Sequence, residues 1–202
     1  SLAWSYFYAK KYPLALSTSL EAEAGFLQYS RLSQRQPLHP SMQASLYSTL
    51  GLMQSKNGLP VDLALGKAAE LDPGDEGGPF IDFKRSTLLL DVGLIHCYQG
   101  DQAKAVEAFE QRVDPETLQP KMVQSEIGRV ETLNALTLSS LRSKDRDMER
   151  TIHFWQGSLE GTKVLRSEQR LNEVLANYEL METIWPNEPR IIELRECIEH
   201  WE

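Results

Sequence analysis

Gly51, Gly58 and the Asp72-Pro73 pair return as Gly93, Gly100 and Asp114-Pro115, each 42 positions later. Self-similarity at a fixed period of this size belongs to repeat architectures, in which each unit buries its apolar face against the next. It argues for one extended repeat domain over residues 1–202 rather than for separate folds.

The stretch VGLIHCYQGDQAKAVEAFEQRVDP, residues 92–115, shows what one copy contains. VGLIHCY reads as a buried first helix, Gly100 as the left-handed residue that ends it, and Asp101 as the cap of a second helix, AKAVEAF. Ala105 and Phe109 are four apart, placing a small residue where two helices touch and an aromatic plug one turn later.

Apolar residues recur at threes and fours elsewhere too, as in Leu46-Leu50-Met53, Val123-Ile127-Val130 and Leu171-Val174-Leu175-Tyr178, and sustained alternation is absent. The chain is therefore expected to be all-α. Breakers at Pro37 and Pro40, Asn57-Gly58, Pro73 to Pro79, Gly100, Pro115 to Pro120, Ser143 to Asp147 and Pro186 to Pro189 divide it. Helices are predicted over 1–9, 13–34, 40–56, 60–71, 81–99, 102–112, 120–142, 147–165, 167–184 and 189–201, paired as antiparallel hairpins.

The arrangement resembles the tetratricopeptide repeat, which sets Gly at its eighth position, Gly near the fifteenth, Ala at the twentieth and an aromatic residue at the twenty-fourth. Gly93, Gly100, Ala105 and Phe109 fit that register without gaps, and Gly51, Gly58, Ala64, Ala68 and Leu71-Asp72-Pro73 carry a weaker copy. KKYPLAL at 10–16 resembles the inter-helix turn of a third, with Ala15 in the small-residue position. The period is 42 rather than the tetratricopeptide 34, and the signature fades after residue 120. The resemblance implies a right-handed superhelix of helix hairpins, a tetratricopeptide-like α-solenoid.

Composition excludes several functions. A net charge of -8 without any Lys/Arg run opposes direct nucleic-acid contact, since neutralising phosphates needs clustered cations. The two cysteines, Cys97 and Cys197, lie far apart, as free thiols of a reducing cytoplasm would. No apolar run approaches the roughly 20 residues that span a bilayer, so no membrane role is expected. The chain opens at Ser1 on a helix without a cap, as a fragment of a longer protein would.

Catalytic and metal constellations do not assemble. His96 and Cys97 are helix neighbours pointing about 100° apart, which prevents proton sharing. Glu149-His153 and Glu196-His200 have i,i+4 spacing but no third ligand nearby, and read as solvated pairs. DPGDEGGPF at 72–80 carries Asp72, Asp75 and Glu76, which repel phosphate, and lacks a calcium-loop register; it reads as a connector. No enzyme activity, metal or cofactor is expected. Phe154 and Trp155 read as inter-helix packing, and residues 167–191, with Trp185 and Trp201, as a terminal seal or a dimer surface.

Three polar residues stand out. Asp91 sits in an apolar segment where an ionised carboxylate demands a partner, ideally a cation. Asn134 falls on the stripe Ile127-Val130-Thr137-Leu141, and Arg129 lies five residues before it. First helices of successive hairpins line the concave face of a solenoid, so Asp91, Arg129 and Asn134 would converge there on a peptide, protein or small-molecule ligand. Alternatively, they satisfy one another as an internal brace.

The wider chain is also similar to the tetratricopeptide-like C-terminal regions of bacterial Xre-type helix-turn-helix transcriptional regulators. The repeat core at 90–115, KDRDMERTIHFWQGSLEGTKVLRSEQRLNE at 144–173 and YELMETIWPNE at 178–188 carry that resemblance. It implies a non-catalytic regulatory domain that senses a ligand or partner or holds a homodimer, while a separate N-terminal domain binds DNA. The alternative is a free-standing scaffold or co-chaperone, whose peptide-carboxylate clamp would use Arg129 and Asn134.

Overall fold

Breakers and caps in the sequence set where the helices begin and end. A computed structural model describes residues 2–32, 38–71, 73–76 and 81–199. Asp72, residues 77–80 of the 72–80 connector, His200 of the Glu196-His200 pair and Trp201 lie outside the described residues.

Ten α-helices follow in order among the described residues: α1 Leu2–Tyr8, α2 Tyr12–Leu32, α3 Pro40–Lys56, α4 Asp62–Glu70, α5 Arg85–Gln99, α6 Gln102–Glu110, α7 Glu126–Arg142, α8 Met148–Leu165, α9 Glu168–Ile184 and α10 Pro189–Glu199. The all-α expectation holds. Val113 and Pro120 form an isolated antiparallel bridge, and no helix among the described residues is long and apolar enough to cross a membrane.

Local chemistry explains the ends. Pro40 opens α3, where its missing N–H costs nothing, and the His39 side chain accepts from Ser41 N. Gly100 closes α5 at φ 87°, with its own N–H on the Cys97 carbonyl and Asp101 N–H on that of His96, as expected of a left-handed glycine terminus. Ser125, Asp147 and Ser167 cap α7, α8 and α9 by accepting from amides in the first turn.

Two predicted helix starts need correction. α5 begins at Arg85 rather than at residue 81, after an extended Lys84, and α7 begins at Glu126 rather than at 120. Residues 113–125 are tied up instead by a turn around Asp114. Its Oδ1 accepts from Glu116 N, Thr117 N and Thr117 Oγ1, which holds its carboxyl below the ordinary aspartate range, the Thr117 amide contributing most. Val123 consequently lies outside any helix at 75% exposure, and Ile127 is half exposed on the outer face of α7. The Val123-Ile127-Val130 stripe enters the core at Val130 alone.

The chain divides into two compact units, Ser1–Asp101 and Gln102–Glu202, with the boundary between the two helices read as one hairpin, α5 and α6. In the first unit α1 packs on α2, α2 on α3, and α3 on both α4 and α5. Ala44, Tyr47, Ala68, Phe83 and Leu88 form one core cluster there, and Leu52, Val61 and Ile95 another. Gly51 brings α3 close to its neighbours, since a Cβ there would stand 3.1 Å from Ile95 Cδ1 and 3.6 Å from Ala64 Cβ.

In the second unit α6 packs on α7, α7 on α8 and α9, α8 on α9, and α9 on α10. Its core joins Leu141, Ile152, Trp155, Leu159, Val174, Tyr178, Met181, Ile191 and Leu194. Ala105 and Phe109 are fully buried, as their spacing predicts.

The helices α7 and α8 meet at Gly157 and Gly161, four residues apart on one face. A Cβ at Gly161 would overlap Val130 Cγ2 and stand 2.9 Å from Arg129 Nη2 and 3.0 Å from Glu126 Oε1. Val130 is fully buried and β-branched, so it has no rotamer into which to retreat. Gly161→Ala is therefore expected to destabilise the second unit by about 1–2 kcal/mol despite alanine's better helix propensity. Equilibrium urea unfolding checks this; unchanged or raised stability would mean that α8 slides freely on α7.

Candidate functional site

A chain of buried and half-buried polar groups runs through α7, α8 and α9. It starts at Ser158, fully buried on α8, whose hydroxyl donates to Asn134 Oδ1 at 2.6 Å. Asn134 Nδ2 donates to Glu173 Oε2 at 3.2 Å, and the Asn134 backbone carbonyl accepts from Asn177 Nδ2 at 3.1 Å. Arg170 then holds both Glu173 oxygens through one nitrogen, at 2.9 and 2.8 Å, and reaches Glu131 Oε1 with another at 2.6 Å. Helical spacing puts Glu131 and Asn134 on one face of α7, and Arg170, Glu173 and Asn177 on the facing side of α9.

Burial pushes the Glu173 carboxyl above the ordinary glutamate range, against the opposing pull of Arg170, and the neighbouring Glu131 charge adds to the rise. The seam thus ends in two carboxylates sharing one guanidinium. Ser158 donates a hydrogen bond to an amide oxygen too weakly basic to take the proton, and the bonds tie α7 to both α8 and α9.

Arg129 belongs to a different cluster. It forks onto Glu126, Nε to Oε2 at 2.8 Å and Nη2 to Oε1 at 2.6 Å, and its Nη1 donates to the Leu118 carbonyl at 3.2 Å. That fork holds the Glu126 carboxyl below its ordinary range and raises the guanidinium further. Arg129 and Asn134 thus share a helix but no partner. Asp91 is in the first unit, 3% exposed, and accepts from the Ser48 hydroxyl across the α3–α5 contact. Each of the three residues is engaged within its own unit.

The remaining candidates resolve simply. Trp155 is fully buried and its Nε1 donates to the Val174 carbonyl at 2.9 Å, with its ring 5.8 Å from that of Tyr178. Phe154 is also fully buried. Glu149 pairs with Arg190, whereas His153 Nε2 lies 2.9 Å from the Glu116 carbonyl, so the two do not face one ion. Among the described residues no group of three or more His, Cys, Asp or Glu is placed to hold a metal. Both cysteines are free, Cys97 buried and Cys197 exposed.

Two surface concavities involve other residues. One, of about 360 Å³, is lined by Glu182, Trp185, Pro186, Asn187, Ile191, Ile192 and Arg195 at the α9–α10 turn. Glu182 Oε1 accepts from the Tyr178 hydroxyl at 2.9 Å and from Arg195 Nη2 at 2.5 Å, and the two donors keep the Glu182 carboxyl below its ordinary range. The other, of about 340 Å³, lies along α2 at Ala24, Leu27, Gln28 and Arg31. Sequence reasoning missed Glu182 and Arg195 as well as the α9 partners of Asn134. The signal within reach was Asn134 and Asn177 standing 43 residues apart, one more than the glycine period.

The two perturbed glutamates predict opposite pH responses. Glu126 is depressed in the fold, so its pairing stabilises above the ordinary glutamate pKa and is lost as pH falls through its lowered value. Glu173 is raised, so its contribution is full below the ordinary value and is lost as pH rises through the raised one. Relative to the unaltered chain, Glu126→Gln should be less stable near pH 7 and converge with it as the pH falls below about 4. Glu173→Gln should gain relative stability as pH rises from about 4 towards 7. Urea unfolding at stepped pH reads both; parallel curves for either variant would contradict its assignment.

No family model, curated protein or solved structure matches the chain.

Proposed function

We propose that this chain is a non-catalytic regulatory and binding domain of stacked helix hairpins, of the kind joined to a separate DNA-binding domain in helix-turn-helix regulators. The observation that carries the reading is a pattern common to both units. α3 packs on its hairpin partner α4 and on the next first helix α5, and α7 does the same with α8 and α9. In each unit a buried side chain bonds the two first helices across 43 residues, Ser48 to Asp91 and Asn177 to Asn134. The bond between first helices in the second unit thus has the same 43-residue spacing as that in the first, beyond residue 120 where the glycine signature fades, and it supports a stacked-hairpin reading of each unit.

Solenoids bind peptides and protein partners on surfaces assembled from successive repeats, which suits a sensor or dimerisation domain better than chemistry at one centre. A peptide-carboxylate clamp of the co-chaperone type fits less well. It would need Arg129 and Asn134 to face a ligand, and both are spent on internal bonds.

Two measurements test the proposal. Reading the coding DNA upstream of Ser1 should reveal a helix-turn-helix domain of about 60 to 80 residues; an in-frame start directly before Ser1 would overturn the regulator reading. Sedimentation with and without a random peptide pool should show self-association or peptide capture. A strictly monomeric chain that captures nothing would overturn the binding reading.

A further inference from the structure

The ammonium group of Lys56, at the last turn of α3, stands among three aromatic rings from three other helices. Its Nζ is 3.4 Å from the Tyr98 ring centroid, 5.3 Å from Tyr12 and 5.9 Å from Phe7, all inside the range in which a cation feels a ring's negative face. Tyr98 comes from α5, Tyr12 opens α2 and Phe7 lies in α1. The rings also support one another: Phe7 meets Tyr12 edge to face at 5.7 Å, and Trp4 and Tyr8 extend the cluster at 5.4 and 5.8 Å from Phe7. All four members of the cage are half-buried, neither sealed in the core nor splayed into solvent. By contrast, Lys67 lies 4.5 Å from a single ring, that of Tyr47, with Glu23 3.6 Å from its Nζ.

A ring cluster of this shape favours cations, and here it holds an ammonium. A lysine ammonium is a poor tenant in one respect, because it is strongly hydrated and gives up water to enter. An alkylated ammonium carries the same charge with a weaker hydration shell and more surface to lay against the rings, which is why aromatic cages recognise such groups. Lys56 holds the site by its tether, which supplies an effective concentration in the millimolar range. We infer that Phe7, Tyr12 and Tyr98 form a binding site for a quaternary or otherwise alkylated ammonium group, closed in this structure by Lys56. The inference does not depend on the chain serving a regulator.

Occupancy would be felt beyond the cage. Asn57, next to Lys56, donates its side-chain amide to the Tyr12 carbonyl at 3.1 Å, so the α1–α2 hairpin is fastened to the end of α3 at this place. Expelling Lys56 loosens one of the contacts that hold the hairpin there, giving the ligand a route to change how α1 and α2 seat on α3.

Choline and its neutral isostere 3,3-dimethylbutan-1-ol separate cation recognition from apolar packing. In Lys56→Ala, calorimetric titration should show choline binding at least about tenfold more tightly than to the unaltered chain, and about tenfold more tightly than the isostere. Adding Tyr98→Leu should abolish it. Equal binding of choline and isostere, or no gain over the unaltered chain, would overturn the proposal.

The unaltered chain provides a test that needs no substitution. The Lys56 Hε resonances should be shifted upfield by the rings and should return towards their ordinary position as choline is raised into the millimolar range. Resonances that start at the ordinary position, or that choline does not move, would equally overturn it.

Discussion

Replacing Trp155 with alanine is expected to remove about 3–5 kcal/mol from the stability of the second unit, the largest single effect anticipated in the chain. The residue is fully buried where α8 meets α9, among Val174, Tyr178 and Met181. Truncation removes its large apolar surface and leaves a cavity in a region where neighbours on α9 and α10 are themselves fixed by packing. It also strands the Val174 carbonyl, which now receives the indole N–H. Trp155→Phe separates the two terms, since it keeps most of the ring and loses the donor, and should cost about 1–2 kcal/mol. Urea unfolding followed by far-UV circular dichroism reads both. Equal losses for the two variants would assign the whole effect to the hydrogen bond, and a loss under about 1 kcal/mol for Trp155→Ala would mean that the core there collapses around the gap.

How much of this was legible beforehand varies with the physics involved. Helix existence rests on local periodicity and breakers, so ten helices were expected and ten are described, with most ends within a few residues. The failure at 120 has its cause in the preceding loop. Residues 120–125 have an apolar spacing that continues that of α7, but Asp114 and Thr117 satisfy the backbone in a turn first, and Ser125 then supplies the cap. The Ser-Glu-Ile-Gly run at 125–128 was the available signal. Asn134 was marked correctly as a polar residue on a buried stripe, because that needs only one helix. Its partners were invisible because they depend on which face of α9 turns towards α7. Asp91 was expected to need a partner in its apolar segment, and its carboxylate accepts a hydrogen bond from the Ser48 hydroxyl one helix away. Its partner lies 43 residues earlier, on the preceding first helix, one residue more than the glycine period.

Arg170→Met is expected to be the second most damaging change, costing about 2–3 kcal/mol near neutral pH. The arginine side chain is only 10% exposed and stands between Glu131 and Glu173, with the latter bonded onward to Asn134. Methionine fills much of the volume, so the cost is electrostatic: two carboxylates remain side by side, one of them already raised by burial, with no cation between them. Both acids retain some contact with water, which keeps the expected loss below that of a fully enclosed pair. Protonating the acids removes the repulsion, so the deficit should shrink as pH falls through the raised Glu173 range towards the ordinary glutamate value. Glu173→Gln introduced with Arg170→Met should recover part of it at pH 7, because the amide can still accept from Asn134. Asn134→Ala, which strands Ser158 and Glu173 but leaves the ion pairs in place, should cost about 1–3 kcal/mol and show less pH dependence. A deficit for Arg170→Met that is the same at every pH would assign the guanidinium to packing and dissolve the electrostatic account of the seam.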